Sequence, residues 1–384
     1  MELQELLESK PLYYKEFDPN RIVEAYKLLR PHIKHPQRVQ LIGTNGKGST
    51  GRAIAHMAAK SSLRVGHYTS PHIIDFKERF WINGRFATLS ELEEAHDKLY
   101  FLLGCEWAEA LSYFEYLTLL AFVLFEECDL QVIEAGLGGE FDATSVAHYD
   151  LTVVTPIGFD HSDFLGSSIE EIATTKLKAV AKKVLLAKQS EQKIYNIAKQ
   201  IAKEQGAKLY YYEEFKPKEG LAKIAAEKGW AEYLVENIQN ALFALDILGI
   251  AYKIEDLKSL ELFGRFYRLM PNVIIDVGHN PLAASAIVKA LNKKVTLIFN
   301  ILGDKDLGKT LEILKEKIER VEIIKIKTQR ATELQEIEEL LESLGLSYSY
   351  FTGELDASRD YLVFGSFYVV EAFLEQMGIQ EIKA

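Results

Sequence analysis

The sequence predicts an α/β protein made of two units, each built around a mostly parallel sheet. Three observations predict it. Short β-branched runs alternate with longer amphipathic stretches over most of the chain. Polar, glycine-rich clusters stand directly after several of those runs. The alternation also restarts near residues 262–268, which divides the chain into a larger unit, 1–262, and a smaller one, 263–384. The 384 residues agree with two units at about 150 residues per domain.

The elements follow in order. Residues 39–42 read as a strand, 49–61 as a helix and 64–68 as the next strand. A helix over 113–127 precedes a strand over 130–134, and 151–156 is a further apolar strand. Helices are expected near 168–181, at 191–205 and over 231–248, with strands at 184–186 and 209–212. After the restart, strands are expected at 273–276, 295–300, 321–326 and 361–364, with a helical run from Leu282.

Composition narrows the function. Apolar residues are 48% and aromatics 11%, which excludes a disordered chain. Forty-five basic against 56 acidic residues give a net charge of −11, so a generic nucleic-acid binder is excluded. Cys105 and Cys128 cannot make a disulfide framework or a zinc site by themselves, which points to a reducing cytoplasm. The first twenty residues carry charges throughout and lack an apolar targeting core. The longest apolar-looking run, 116–125, is too short to span a bilayer, so no membrane association is expected.

The sharpest motif is Gly43-Thr44-Asn45-Gly46-Lys47-Gly48-Ser49-Thr50, after a strand and opening a helix. Glycines let successive N–H groups face a polyphosphate, and Lys47 adds a point charge. A hydroxyl of Ser49 or Thr50 can ligate Mg²⁺. The spacing departs from the general P-loop: Leu41 stands where that pattern has its first Gly, and Gly48 follows the lysine. Glu134 ends a strand ahead of a glycine run, where a carboxylate can hold Mg²⁺ directly or through water. Ser70 in Thr69-Ser70-Pro71-His72, and the pair Asp160-His161, also follow strands. Lys176 lies on the helix after that pair. Open α/β sheets bind ligands at this edge. In the second unit, Asp276-Val277-Gly278-His279-Asn280-Pro281, Asp304-Lys305-Asp306 and Gly365-Ser366 repeat the theme.

Together these motifs resemble the Mur ligase superfamily, and most closely the folylpolyglutamate synthase/dihydrofolate synthase family. The segments that carry the resemblance are 43–50, 68–72, 114–118, 133–144, 160–161, Lys176, 264–265, 276–281, 303–306, 330–331 and 364–366. The resemblance implies a P-loop-type first domain and a smaller Rossmann-like second one. It implies ATP-dependent joining of L-glutamate to dihydropteroate or a reduced folate through an acyl phosphate, by a bifunctional enzyme. ATP would lie on Asn45, Gly46, Lys47, Gly48, Ser49 and Thr50, with Asn240, Arg265 and Asp276 reaching the nucleotide. One Mg²⁺ would be held by Ser49 or Thr50 with Glu134, and a second by Ser70, Glu134 and His161. K⁺ is a further candidate cation. Lys47, His161, Lys176 and His279 would be the catalytic set, with Lys176 carbamylated beside the metals and therefore desolvated. Glutamate would bind mainly on the second domain and the pterin against the first, with Asp306 and Arg330 as further residues of the cleft. Relatives are mostly monomers. Three features depart from the family: Glu236 and Asn237 replace a His-Gln pair, Glu140 replaces an Arg, and the chain is short.

Other classes fit less well. A peptidoglycan-type Mur ligase would carry a further N-terminal domain for its UDP-sugar, whereas the phosphate loop here begins at residue 43. A P-loop switch would need a guanine-reading Asn-Lys-x-Asp, and residues 304–306 lack the Asn. A non-catalytic relative would be expected to lose Lys47, Glu134 or His161.

Overall fold

A computed structural model describes residues 2–10, 18–160 and 165–382. The first sheet has eight strands: β1 (Gln37–Ile42), β2 (Val65–Tyr68), β3 (Phe80–Ile82), β4 (Arg85–Phe86), β5 (Leu130–Glu134), β6 (Leu151–Val154), β7 (Lys183–Leu186) and β8 (Lys208–Tyr211). Their spatial order is β4-β3-β2-β5-β1-β6-β7-β8. All neighbours are parallel except the β2-β3-β4 edge. The second sheet holds β9 (Tyr267–Met270), β10 (Val273–Asp276), β11 (Val295–Phe299), β12 (Ile318–Ile323), β13 (Tyr348–Tyr350) and β14 (Tyr361–Phe364). Its order is β13-β12-β11-β14-β10-β9, with only β9 antiparallel. This is the α/β class that the sequence predicts.

The topology places the motifs. β1 lies between β5 and β6, with Leu41 opposite Glu134 and Ile42 opposite Val154. The chain leaves β1 toward β2 and later returns past it to β6. A crevice therefore opens at the carboxyl ends of β5, β1 and β6, the switch point of an open α/β sheet.

Side-chain alternation explains the layers. Val39 and Leu41 pack with Ile54, Met57 and Ala58 of the helix Lys47–Lys60 and with Ile238, Ala241 and Leu245 of the helix Glu232–Leu248. Ile42 faces the other side and joins the core of the helix Ile169–Leu177. Alanines at 53, 55, 58, 241 and 244 are buried. They let the helices Lys47–Lys60 and Glu232–Leu248 pack closely, and so bring the second helix against the phosphate loop. Leu257, Leu260 and Leu262 close this first core, while Phe266 packs against both this core and that of the second sheet.

Several elements depart from the sequence expectation. The helices Leu3–Ser9, Pro19–Leu29 and Leu89–Ala110, the hairpin β3–β4, and strands β9 and β13 carry no strand-end motif and were not anticipated. The strand expected at 321–326 runs over 318–323, because β11 pairs Val295 with Ile318 and Phe299 with Ile323. The helices expected to reach 127 and 181 end at Leu124 and Leu177. Among the described residues, no helix is long and apolar enough to cross a membrane.

Candidate functional site at the edge of the first sheet

The phosphate loop is held by the segment after β6. Thr44 and Asn45 donate their N–H groups to Pro156 O at 2.9 and 3.2 Å. The Thr44 hydroxyl and Gly158 exchange hydrogen bonds of 3.0 Å. Gly46 takes φ 90°, and a Cβ there would lie 2.6 Å from Asn237 Oδ1. A Cβ on Gly48 would lie 3.3 Å from Glu134 Oε2 and 3.4 Å from Arg265 Nη2. Gly46 therefore needs glycine, and Gly48 marks where Glu134 and Arg265 meet the loop. Lys47 Nζ lies 3.3 Å from the carbonyls of Gly43 and Thr44. Ser49 and Thr50 are buried, and neither hydroxyl has a partner among the described residues. A buried hydroxyl without a partner costs about 1–3 kcal/mol, which marks this point as built for something else.

Glu134 is buried at the end of β5. Its Oε2 accepts from the Thr69 hydroxyl and, at 3.3 Å, from Ser70 N, so both hydrogen bonds fall on one oxygen. The structure brings Ser49, Thr50, Ser70 and Glu134 to one edge. Their donors are oxygens only, which suits a hard cation such as Mg²⁺. Among the described residues, no three His, Cys, Asp or Glu side chains form a metal cluster. His161, expected to complete the second metal site, lies outside the described residues.

Lys176 is 2% exposed. Its Nζ donates to Gly43 O at 3.1 Å and Leu137 O at 2.5 Å, joining the phosphate loop to the glycine segment after β5. Burial, seconded by Lys47, lowers its amine to about 7, against the opposing pull of Asp160 and Asp142. The desolvation expected from the sequence is present. The glycine segment is shaped by Asp142, which accepts from Gly138 N at 2.8 Å and Thr144 N at 3.0 Å. It leaves Leu137 and Phe141 exposed, and Glu140 pairs with Lys178 at 3.0 Å.

The second sheet reaches this edge through side chains. Asp160 accepts from Lys305 Nζ at 2.6 Å and Asn280 Nδ2 at 3.2 Å, and His279 Nε2 lies 3.5 Å away. The amides of Asn45 and Asn280 pair at 2.9 and 3.0 Å. Asp276 is engaged within the chain: Tyr233 donates at 2.6 Å, Phe266 N at 2.8 Å and Gly278 N at 2.7 Å. Asn240 is buried on the helix Glu232–Leu248, and its Oδ1 has no partner among the described residues. Asp306 caps the helix Leu307–Leu314 by accepting from Lys309 N at 2.9 Å, and Arg330 pairs with Asp304 at 2.6 Å. His72 accepts from Arg79 Nε at 2.9 Å, and burial with that charge holds its imidazole down to about 3.

Three residues escaped the sequence reading of the site. Lys305 lay inside a noted motif without a role. Asn237 was noted only as a departure, yet it packs under Gly46. Arg52, one helical turn past Gly48, stacks on Trp81 at 5.0 Å. Helical spacing alone would have placed it on the loop's face. Burial lowers its guanidinium to about 9, opposed by Glu78 and Glu134.

Comparison with known proteins agrees with this arrangement. Residues 42–250 match the Mur ligase middle domain. The dihydrofolate synthase/folylpolyglutamate synthase of Escherichia coli K12 is 31% identical over 378 residues, covering 87% of this chain and 85% of that protein. The crystal structure of Helicobacter pylori folylpolyglutamate synthetase superposes with a TM-score of 0.79 at 40% identity, covering 98% of both chains. The E. coli FolC structure in complex with DHPP and ADP gives a TM-score of 0.82 at 27% identity, again covering 98% of both. With its phosphate loop, strand-end carboxylate and buried lysine in this order, the chain belongs to the dihydrofolate synthase/folylpolyglutamate synthase family of the Mur ligase superfamily.

Proposed function

We propose that this chain is an ATP-dependent ligase that joins L-glutamate to dihydropteroate and to reduced folates, releasing ADP and phosphate. The observation that carries the reading is the pair of buried, partnerless hydroxyls of Ser49 and Thr50 on the phosphate loop that abuts Glu134. Family membership supplies the substrate class.

The chain's own residues have defined tasks in this reading. The loop amides and Lys47 hold the ATP phosphates at the helix N-terminus. Among the described residues, Lys47 Nζ bonds only two loop carbonyls, at 3.3 Å, which a phosphate can replace. Arg265 meets the same phosphates from the far side of Gly48. Two Mg²⁺ ions would be held here, one by Ser49 or Thr50 with Glu134, the other by Ser70 and Glu134 with His161, which lies outside the described residues. Bound there, they neutralise the two anions that must approach one another. The acceptor carboxylate takes the γ-phosphoryl group, the glutamate amine attacks the resulting acyl phosphate, and phosphate leaves. Lys176 anchors the floor of the site. Its lowered amine makes it a candidate for carbamylation, in which the neutral nitrogen adds to CO₂ and releases a proton. Asn45, Asp160, His279 and Lys305 fix the second unit against the first, with Asn240 and Asp276 supporting the nucleotide side. We place the boundary between the units at 262/263 and take the protein to be a cytoplasmic monomer, with K⁺ as a further candidate cation.

The test is phosphate release from MgATP and L-glutamate, with dihydropteroate or tetrahydrofolate as the only acceptor. Release with both is expected. Silence with both, in folded protein that binds ATP, would overturn the folate assignment.

A further inference from the structure

The segment after β6 is irregular and carries the phosphate loop. Thr44 and Asn45 both donate their N–H groups to Pro156 O, and Gly158 exchanges hydrogen bonds with the Thr44 hydroxyl. Gly43 comes closer still: a Cβ there would lie 2.1 Å from Thr155 Oγ1. Residues 155–158 are thus the bed on which the loop rests. β7 ends at Leu186, and Ala187 N makes the last backbone bond beside β6, to Val154 O at 2.9 Å. Past that point β7 offers the buried Thr155 and Ile157 no strand, yet buried peptide groups need partners.

One side chain supplies what the strand does not. Gln189 is 8% exposed. Its Oε1 accepts from Ile157 N at 2.9 Å, and its Nε2 donates to Ala187 O at 2.9 Å and to Thr155 O at 3.4 Å. The amide therefore brackets Pro156 as a peptide of a parallel neighbour would. Proline has no N–H, so Pro156 can be held only through its carbonyl and the groups on either side. Gln189 is itself fixed: its backbone N–H donates to the Tyr195 hydroxyl at 2.9 Å, which donates to Glu213 at 2.9 Å.

We infer that Gln189 is a positioning residue of the ATP site: it holds Pro156 O toward the amides of Thr44 and Asn45, and so sets where Lys47, Ser49 and Thr50 stand. The inference rests on the phosphate loop of the ligase reading and deepens it. The path is short and continuous. It runs from the Gln189 amide to Thr155 and Ile157, from Pro156 O to Thr44 and Asn45, and then into the Gly46 turn. Two backbone donors meet on one carbonyl, so a tilt of the Pro156 peptide releases both together. Because the path ends at the phosphate loop, nucleotide binding responds before the binding of either other substrate.

The test compares Gln189→Met with Gln131→Met. Gln131 is a buried amide toward the amino end of β5, bonded to Phe125 O at 2.9 Å and Arg38 Nε at 2.6 Å. Both variants lose buried hydrogen bonds, so both lower the thermal midpoint, and stability alone does not separate them. Calorimetric titration with MgADP, well below both midpoints, does. Gln189→Met is expected to raise Kd about 10-fold, and Gln131→Met to change it by less than about 2-fold. KM for ATP should follow Kd, while KM for L-glutamate stays within about 3-fold of wild type. Amide exchange at Thr44 and Asn45 should quicken in Gln189→Met alone. An unchanged Kd in folded Gln189→Met, or an equal rise in both variants, would overturn the inference. Should Gln189→Met fail to fold, Tyr195→Phe decides: a Kd raised about 3-fold supports the inference, and an unchanged Kd overturns it. If no acceptor supports phosphate release while the MgADP pattern holds, the ligase reading falls and the role of Gln189 stands.

Discussion

The carboxyl edges of the two sheets carry the same kind of residue and use it in opposite ways. At the first edge, Ser49, Thr50 and His67 are buried with no hydrogen-bond partner for their side chains among the described residues. At the second edge the motif residues are held by the chain itself, although the buried Thr332 hydroxyl, whose backbone N–H bonds Ile301 O, has no partner among the described residues. Asp276 takes three donors, Asp306 and Ser366 cap helices, and Asn300 bonds Ile324 O and Ile301 N. The difference teaches that a polar residue after a strand has two explanations. It either waits for a ligand or finishes the fold, and only its partners tell which. The second unit meets the first edge with a few side chains, Arg265, His279, Asn280 and Lys305, from an otherwise closed surface.

Substitutions can break this comparison, and the largest effect is expected at the open edge. Lys47→Ala should lower kcat/KM about 1,000-fold, measured by phosphate release, while the thermal midpoint moves by less than about 2 °C. A loss of stability as large as the loss of activity would mean the loop is scaffold. Next is the bridge between the units. Lys305→Ala leaves Asp160 buried without its 2.6 Å partner and should cost about 3 kcal/mol in denaturant unfolding. Asp276→Asn should cost about 2 kcal/mol, because three donors lose a charged acceptor.

Lys176 sharpens the comparison through pH. Its folded value near 7 lies below the ordinary 10.5, so between those values the unfolded chain binds more protons than the folded one. Stability therefore rises with pH across that window, by at most about 1.4 kcal/mol per unit. Lys176→Met should flatten that slope in urea melts run from pH 6 to pH 9. A carbamate on the wild-type amine should give a ¹³C signal from labelled bicarbonate at pH 8 that fades at pH 6. The smallest effect is expected at a closed cap: Asp306→Ala should cost about 1 kcal/mol.

Much of the fold was legible because strand-end motifs and β-branched runs coincide. β5, β10 and β14 fall on the residues expected, and β1 extends its prediction by two residues. The long helix Leu89–Ala110 was not legible, since it carries no motif and Gly104 breaks its regularity with φ 75°. The edge strands β9 and β13 are short and only partly buried, so alternation gave no signal. The site was legible in its loop, its carboxylate and the depth of Lys176. Arg52 was not, because a lone arginine on a helix reads as solvated until its stacking on Trp81 is seen. Asp306 read as a cleft residue because capping and ligand binding favour the same residue type after a strand.

The most direct measurement is one paired comparison: Kd for MgADP and the thermal midpoint, for Ser49→Ala and Asp306→Ala. The account predicts that Ser49→Ala weakens nucleotide binding about 10-fold or more with an unchanged midpoint. It predicts that Asp306→Ala lowers the midpoint and leaves Kd unchanged. The reverse pattern, or both variants changing both quantities alike, would contradict the division between an open and a closed edge.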